Sequence, residues 1–161
     1  VDPPASSSGD ACGIVVAMLG VDGTAYVRAD CSVTNATPER WARAVADAAH
    51  AWQADRVVAE ANQGGQMVAS VLRAADIALA VKLVHASRGK TARAEPIAAL
   101  YEAGRVRHTG LFAALEDEMC GLVAGGGYEG PGRSPARADA LVWALTELML
   151  VKRAAPRVRW I

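Results

Sequence analysis

The stretch Arg56 to Val68, RVVAEANQGGQMV, leaves the backbone few choices. Val57, Val58 and Ala59 form a short apolar run that reads as a strand. Glu60 closes the run, and Asn62 with Gly64-Gly65 supplies a tight turn that opens a helix through Val68, Val71 and Leu72. A strand feeding a helix through so short a turn is the building unit of an α/β layer structure. The carboxylate at its joint has consequences of its own. A charge at the end of an apolar strand is costly to leave dry, so Glu60 is wet, paired or bound to a cation. In open α/β sheets the carboxyl ends of strands border the crevice where ligands sit. Asp2 and Asp139 stand at comparable ends elsewhere in the chain, which makes a shared site a reasonable expectation.

The remaining segments fit the same architecture. Val1-Asp2-Pro3-Pro4 reads as the last residues of a strand, because proline stops a ladder and leaves Asp2 at its end. So abrupt a start fits a domain excised from a longer polypeptide, here one domain over residues 1–161. The run PPASSSGD is a loop by composition. Cys12 to Val21 is apolar on both alternating faces and reads as an interior strand. Asp22-Gly23 is a hairpin turn leading to an alternating strand over Thr24 to Asp30. Thr37-Pro38-Glu39 starts a helix, with Thr37 as N-cap, and Trp41, Val45, Ala48 and Trp52 on one stripe. Ile77 to Val84 reads as a buried strand, Ser87 to Lys90 as a basic loop, and Arg93 to Ala103 as a helix ended by Gly104. Val106 to His108 is a short edge strand and Leu111 to Leu122 a helix. Gly125 to Pro135 is too rich in glycine and proline for regular structure and reads as a mobile loop. Ala136 to Val151 is a helix apolar nearly all round, which requires burial against something as large as the sheet. The expected fold is a mixed sheet with an antiparallel hairpin, flanked by helices.

Composition narrows the functions available. The 17 basic and 17 acidic residues cancel, so no global field announces nucleic acid. Locally, Lys82, Arg88, Lys90, Arg93, Arg105 and Arg107 face only Glu95 and Glu102, a candidate basic surface or an ordinary solvated helix face. Cys12, Cys31 and Cys120 are odd in number and widely spaced, which disfavours a zinc site or disulfide framework and suits a reducing cytosol. No apolar stretch approaches the roughly 20 residues of a spanning helix. Gly89-Lys90-Thr91 suggests the end of a P-loop, but Val84 stands where that motif needs its first glycine.

Asp2, Glu60 and Asp139 are hard oxygen donors without His or Cys partners, a set suited to Mg²⁺ or Mn²⁺ rather than Zn²⁺. Convergence of carboxylates would be repulsive without cations, which itself argues for bound metal. Asp139 read alone is a favourable charge near a helix N-terminus. Asp10 is a turn residue or a fourth donor.

These residues carry a resemblance. VDPP with Asp2, VVAEANQGG with Glu60 and SPARADALVWALTEL with Asp139 resemble the three acidic motifs of the C-terminal nuclease domain of phage large terminase subunits. KLVHASRGKTARAEPIAALYEAGRVRH and LEDEMCG resemble the connecting region of that family. The similarity spans essentially the whole chain and is strongest to terminases of prophage-like elements and gene transfer agents. It implies a ribonuclease H-like fold and two-metal-ion cleavage of double-stranded DNA concatemers in the host cytoplasm. It also implies partners: a packaging ATPase domain N-terminal to this one, a small terminase subunit and a portal. Asp2, Glu60 and Asp139 would be catalytic metal ligands, with Lys90 assisting and Arg88, Lys90 and Arg93 on the DNA backbone. Ala136 departs from the pattern, since relatives often hold Asp or His there; a weaker second metal site, or compensation by Asp10, would follow. A junction resolvase-like nuclease on the same fold, and a non-catalytic domain gripping DNA or a portal, are the alternatives.

Overall fold

The computed structural model describes residues 1–4, 11–62, 64–123 and 127–151. Asp10, the candidate fourth donor, lies outside them. β1 (Val15–Leu19) and β2 (Ala25–Asp30) form the expected antiparallel hairpin, with a bulge between Val16 and Ala17. β1 is shorter than the apolar run because its turn begins at once: the Gly20 amide donates to the Thr24 carbonyl and Asp22 Oδ1 accepts from the Thr24 amide. β5 (Val106–His108) adds to β2 in parallel. β3 (Val57–Glu60) pairs in parallel with β4 (Val81–Val84).

Residues 1 and 2 lie between these two sets of strands. The Val1 nitrogen donates to the Val58 carbonyl and the Glu60 amide to the Val1 carbonyl, at 2.6 and 3.0 Å. On the other side Asp2 and Gly13 exchange both backbone hydrogen bonds at 2.9 Å. Asp2 thus sits beside the end of β3 that carries Glu60.

Helices cover both faces. α1 (Pro38–Ala51) and α2 (Gln66–Ala75) bury Trp41, Val45, Val68 and Leu72 with Cys12, Ile14, Val57 and Ala59. α3 (Lys90–Glu102), α4 (Ala113–Cys120) and α5 (Ala136–Leu145) bury Ile97, Leu100, Leu115, Leu141 and Leu145 with Val15, Ala25, Val27 and Val106. Ile14 and Val15 point to opposite layers, which is why the run around them is apolar on both faces. α5 is buried along almost its whole length, as its composition requires, and continues as a π-helical turn over Thr146–Leu150.

Several boundaries differ from the sequence reading. The run from Ile77 to Ala80 is a turn, not strand, because Asp76 Oδ1 accepts from the Ala78 amide; Ile77 is left 88% exposed. Trp52 leaves the buried stripe of α1 to serve as its C-cap, with Arg28 over its ring at 5.3 Å. The glycine-rich segment is partly regular: β7 (Gly127–Tyr128) pairs with β6 (Leu122–Val123), and the Tyr128 hydroxyl donates to the Pro131 carbonyl at 2.6 Å. Most consequential, α3 begins at Lys90 rather than Arg93, so both cations occupy its first turn and project together.

Candidate functional site

Glu60 ends β3, and Asn62 with Gly64-Gly65 turns the chain away from it, the two glycines at φ of +92° and +42°. Asn62 Nδ2 donates to Glu60 Oε1 at 2.7 Å, while Asn62 Oδ1 accepts from the Ala86 amide at 2.8 Å. The amide side chain therefore ties the carboxylate to the segment after β4. Trp143 Nε1 donates to Glu60 Oε2 at 2.5 Å.

Asp139 comes from the first turn of α5, as expected. Its position depends on a close approach that only glycine permits: a Cβ on Gly13 would lie 1.9 Å from the Ala136 carbonyl oxygen. Because Gly13 also pairs with Asp2, one contact brings the start of α5 against the segment carrying Asp2. Asp139 Oδ2 accepts from Lys90 Nζ, and Oδ1 from Arg93 Nη2 at 3.3 Å. Lys90 Nζ also donates to Ser134 Oγ at 3.0 Å, which brings the end of the glycine-rich segment to the site.

Asp2, Glu60, Asn62, Arg88, Lys90, Arg93, Ser134 and Ala136 line one open cavity of ≈ 450 Å³. A larger groove of ≈ 1040 Å³, with Met18, Trp52 and Val151 on its walls, holds none of the three carboxylates and is mostly apolar. We assign the chemistry to the smaller cavity, because that is where the charges converge. Burial, then the charges of Asp139 and Glu60, push the Asp2 carboxyl up to about 7, against the pull of Lys90. Burial also raises Asp139 from the ordinary aspartate range, although Lys90 and Arg93 act the other way. Burial is thus the leading cause at both carboxyls, and at Asp139 the adjacent cations outweigh the charge of Glu60.

The basic segment does not form one face. Lys82 pairs with Glu147 at 2.6 Å on the wall of the larger groove. Arg88 is exposed at the cavity mouth. Arg93, expected on the DNA backbone, is turned toward the carboxylates: its side chain is 10% exposed, and Nη1 lies 3.3 Å from Glu60 Oε2. Ala136 lines the cavity as expected but is buried and ligates nothing. Sequence reasoning missed Asn62, Ser134 and Trp143 as partners of the charged groups. It also missed Glu118, which accepts from the Arg137 and Ala138 amides at 2.7 and 3.2 Å and fixes the start of α5. Only its place in LEDEMCG hinted at a role for Glu118.

The donor set fits a hard divalent cation in kind: Asp2 and Glu60 on the cavity and Asp139 behind its Lys90 and Arg93, without thiolate or imidazole. Among the described residues no group of three acidic, His or Cys side chains stands ready-formed around an ion position. The oxygens of Glu60 and Asp139 are engaged by Lys90, Arg93, Asn62 and Trp143 instead.

A raised Asp2 has a measurable consequence. A carboxyl at 3.8 when unfolded and about 7 when folded keeps its proton longer in the native state, so its contribution to stability is present below pH 4 and is lost as pH rises through 7. In chelator, the wild-type unfolding free energy should fall by up to a few kcal/mol between pH 5 and pH 8, and Asp2→Asn should flatten that fall. An identical pH profile in the variant would show that Asp2 does not carry this strain.

Comparison with known proteins adds an independent line. The family model described as the terminase RNaseH-like domain matches residues 1–149. Among solved structures, the crystal structure of the large terminase nuclease from thermophilic phage G20c with bound cobalt is similar, with a TM-score of 0.53. The match covers 86% of this chain and 82% of that one at 15% sequence identity, and so shows a likeness of fold. No curated protein sequence matches the chain.

Proposed function

The chain belongs to the terminase RNaseH-like domain family, and on that premise we propose that it is a metal-dependent endonuclease cutting double-stranded DNA concatemers during packaging into phage-like particles. The observation that carries this reading is that Asp2 and Glu60 line one cavity in a ribonuclease H-like fold, with Asp139 buried behind it and bonded to the cavity residues Lys90 and Arg93. The similar phage G20c nuclease was solved with cobalt, which supports a divalent ion. Two ions, Mg²⁺ or Mn²⁺, suit the reading. Bound there, divalent ions supply positive charge for the scissile phosphate and lower the pKa of the attacking water.

The chain's own residues prepare the site. Asn62 and Trp143 fix the orientation of the Glu60 carboxylate through one hydrogen bond to each oxygen. Gly13 and Glu118 hold the start of α5, where Asp139 meets Lys90 and Arg93. Lys90, on the cavity wall with its side chain 44% exposed, is placed to receive a phosphate oxygen, and exposed Arg88 to hold the neighbouring backbone phosphate. Among the described residues no helix is long and apolar enough to cross a membrane. The reading names DNA, a packaging ATPase domain of the same polypeptide, the small terminase subunit and the portal as partners.

The test is supercoiled plasmid incubated with the purified chain in Mn²⁺, in Mg²⁺ and in EDTA. Nicking or linearisation with either ion and none in EDTA is expected, and the ions should raise the melting temperature. Cleavage that persists in chelator would overturn the metal mechanism. DNA binding without cleavage in any ion would leave a gripping domain instead.

A further inference from the structure

Two of the three carboxylates, Glu60 and Asp139, have no free oxygen. Glu60 Oε1 accepts from Asn62, and Oε2 from both Arg93 and Trp143. Asp139 Oδ1 accepts from Arg93 and Oδ2 from Lys90. Arg93 is the residue common to both. Its guanidinium spans the end of β3 and the start of α5, with both contacts at 3.3 Å, and its carbon Cζ lies 4.8 Å from the centre of the Trp143 ring. Its Nε is buried with no hydrogen-bond partner among the described residues.

This is an odd arrangement for a purely structural arginine. Contacts of 3.3 Å lie beyond the usual length of a charge-assisted hydrogen bond, so Arg93 itself holds neither carboxylate tightly. The unpaired Nε means that the guanidinium is not fully satisfied where it sits. The aromatic face beneath it would retain the cation if its carboxylates turned away. Guanidinium cannot shed its charge, so it remains a competitor for those oxygens at any working pH.

We propose that Arg93 is an internal counter-cation: it holds Glu60 and Asp139 together against their repulsion and competes with a divalent ion for the same oxygens. It thereby sets the ion concentration at which the site loads. The inference rests on the metal-site reading above and goes beyond it, because it makes Arg93 a positioning residue that opposes metal binding rather than a DNA contact. Lys90 reinforces the effect at the outer oxygen of Asp139.

Calorimetric titration of Mn²⁺ into the wild type, Arg93→Met and Arg93→Lys, beside melting curves in EDTA, tests it. Arg93→Met keeps an apolar stem over Trp143 and removes the charge. It should lower the metal-free melting temperature, because two carboxylates lose their shared cation, and yet tighten Mn²⁺ about tenfold. Arg93→Lys keeps the charge without the fork, so it should tighten Mn²⁺ by less; it serves alone if the methionine variant does not fold. A residue that merely held the ligands in place would give the opposite sign, with weaker metal binding in both variants. Unchanged or weaker affinity beside a wild type that binds Mn²⁺ overturns the counter-cation. A wild type that binds no Mn²⁺ overturns the metal site itself.

Discussion

Asp139→Asn is expected to cut plasmid cleavage in Mn²⁺ by about a thousandfold or more, while leaving the metal-free protein as stable as the wild type or more so. Asparagine keeps the size and shape of the side chain and one acceptor oxygen, but loses the charge that would hold an ion. The stability half follows from the direction of the carboxyl's shift. Burial raises Asp139 despite the cations beside it, so the folded protein prefers the neutral form more than water does. That preference stabilises the fold at low pH and is lost as pH rises through the folded value; above it, a permanently neutral group avoids the cost. If Asp139 served only the helix terminus, Asn would cost a few tenths of a kcal/mol and leave activity intact. Melting curves in EDTA and nicking in Mn²⁺ on the same variant separate the two, and full activity with a lowered melting temperature would remove Asp139 from the site.

The largest stability loss outside the apolar core is expected at Glu118. Its side chain is 4% exposed and accepts three hydrogen bonds: the Arg137 and Ala138 amides, and Arg137 Nη1 at 2.8 Å. Pro135 stands at the cap position of α5 and supplies no side-chain acceptor, so a carboxylate from α4 satisfies the helix start instead. Arg137 in turn reaches Asp30 on β2 at 3.0 Å. Glu118→Ala leaves two amides and part of a guanidinium without their acceptor, and should cost about 3–5 kcal/mol by chemical denaturation. Glu118→Gln keeps an acceptor and should cost less. Because Asp139 lies just beyond the amides that Glu118 holds, the alanine variant should also bind Mn²⁺ more weakly. A loss below about 1 kcal/mol would mean that the start of α5 is held by packing alone.

Much of the architecture was legible because it depends on local chemistry. The β-branched run before Glu60 and the glycines after it specify strand and turn whatever surrounds them, and Thr37-Pro38-Glu39 starts α1 where expected, with Thr37 Oγ1 accepting from the Arg40 amide. A helix apolar on all sides has to be buried, and α5 is. The three carboxylates were visible as residues at the ends of such elements. What surrounds them was not visible, because spacing along the chain carries no information about charges that meet across it. Lys90 and Arg93 read as basic loop and helix, solvated or on DNA; in the fold they share the first turn of α3, Lys90 on the cavity wall and Arg93 turned inward, where Glu60 and Asp139 offset its desolvation. The glycine-rich stretch read as shapeless, since composition cannot show that Gly121 and Gly130 pack so closely that a Cβ on Gly121 would lie 2.4 Å from the Gly130 backbone. Gly13 looked like any strand glycine, yet the start of α5 rests against it. The sequence by itself determined most of the strands and helices and which acids lie near their ends, through periodicity, turn chemistry and capping. Only the tertiary structure decided which cations those acids face and what holds them there, because pairing and close backbone approach depend on distances through space between residues far apart in the chain.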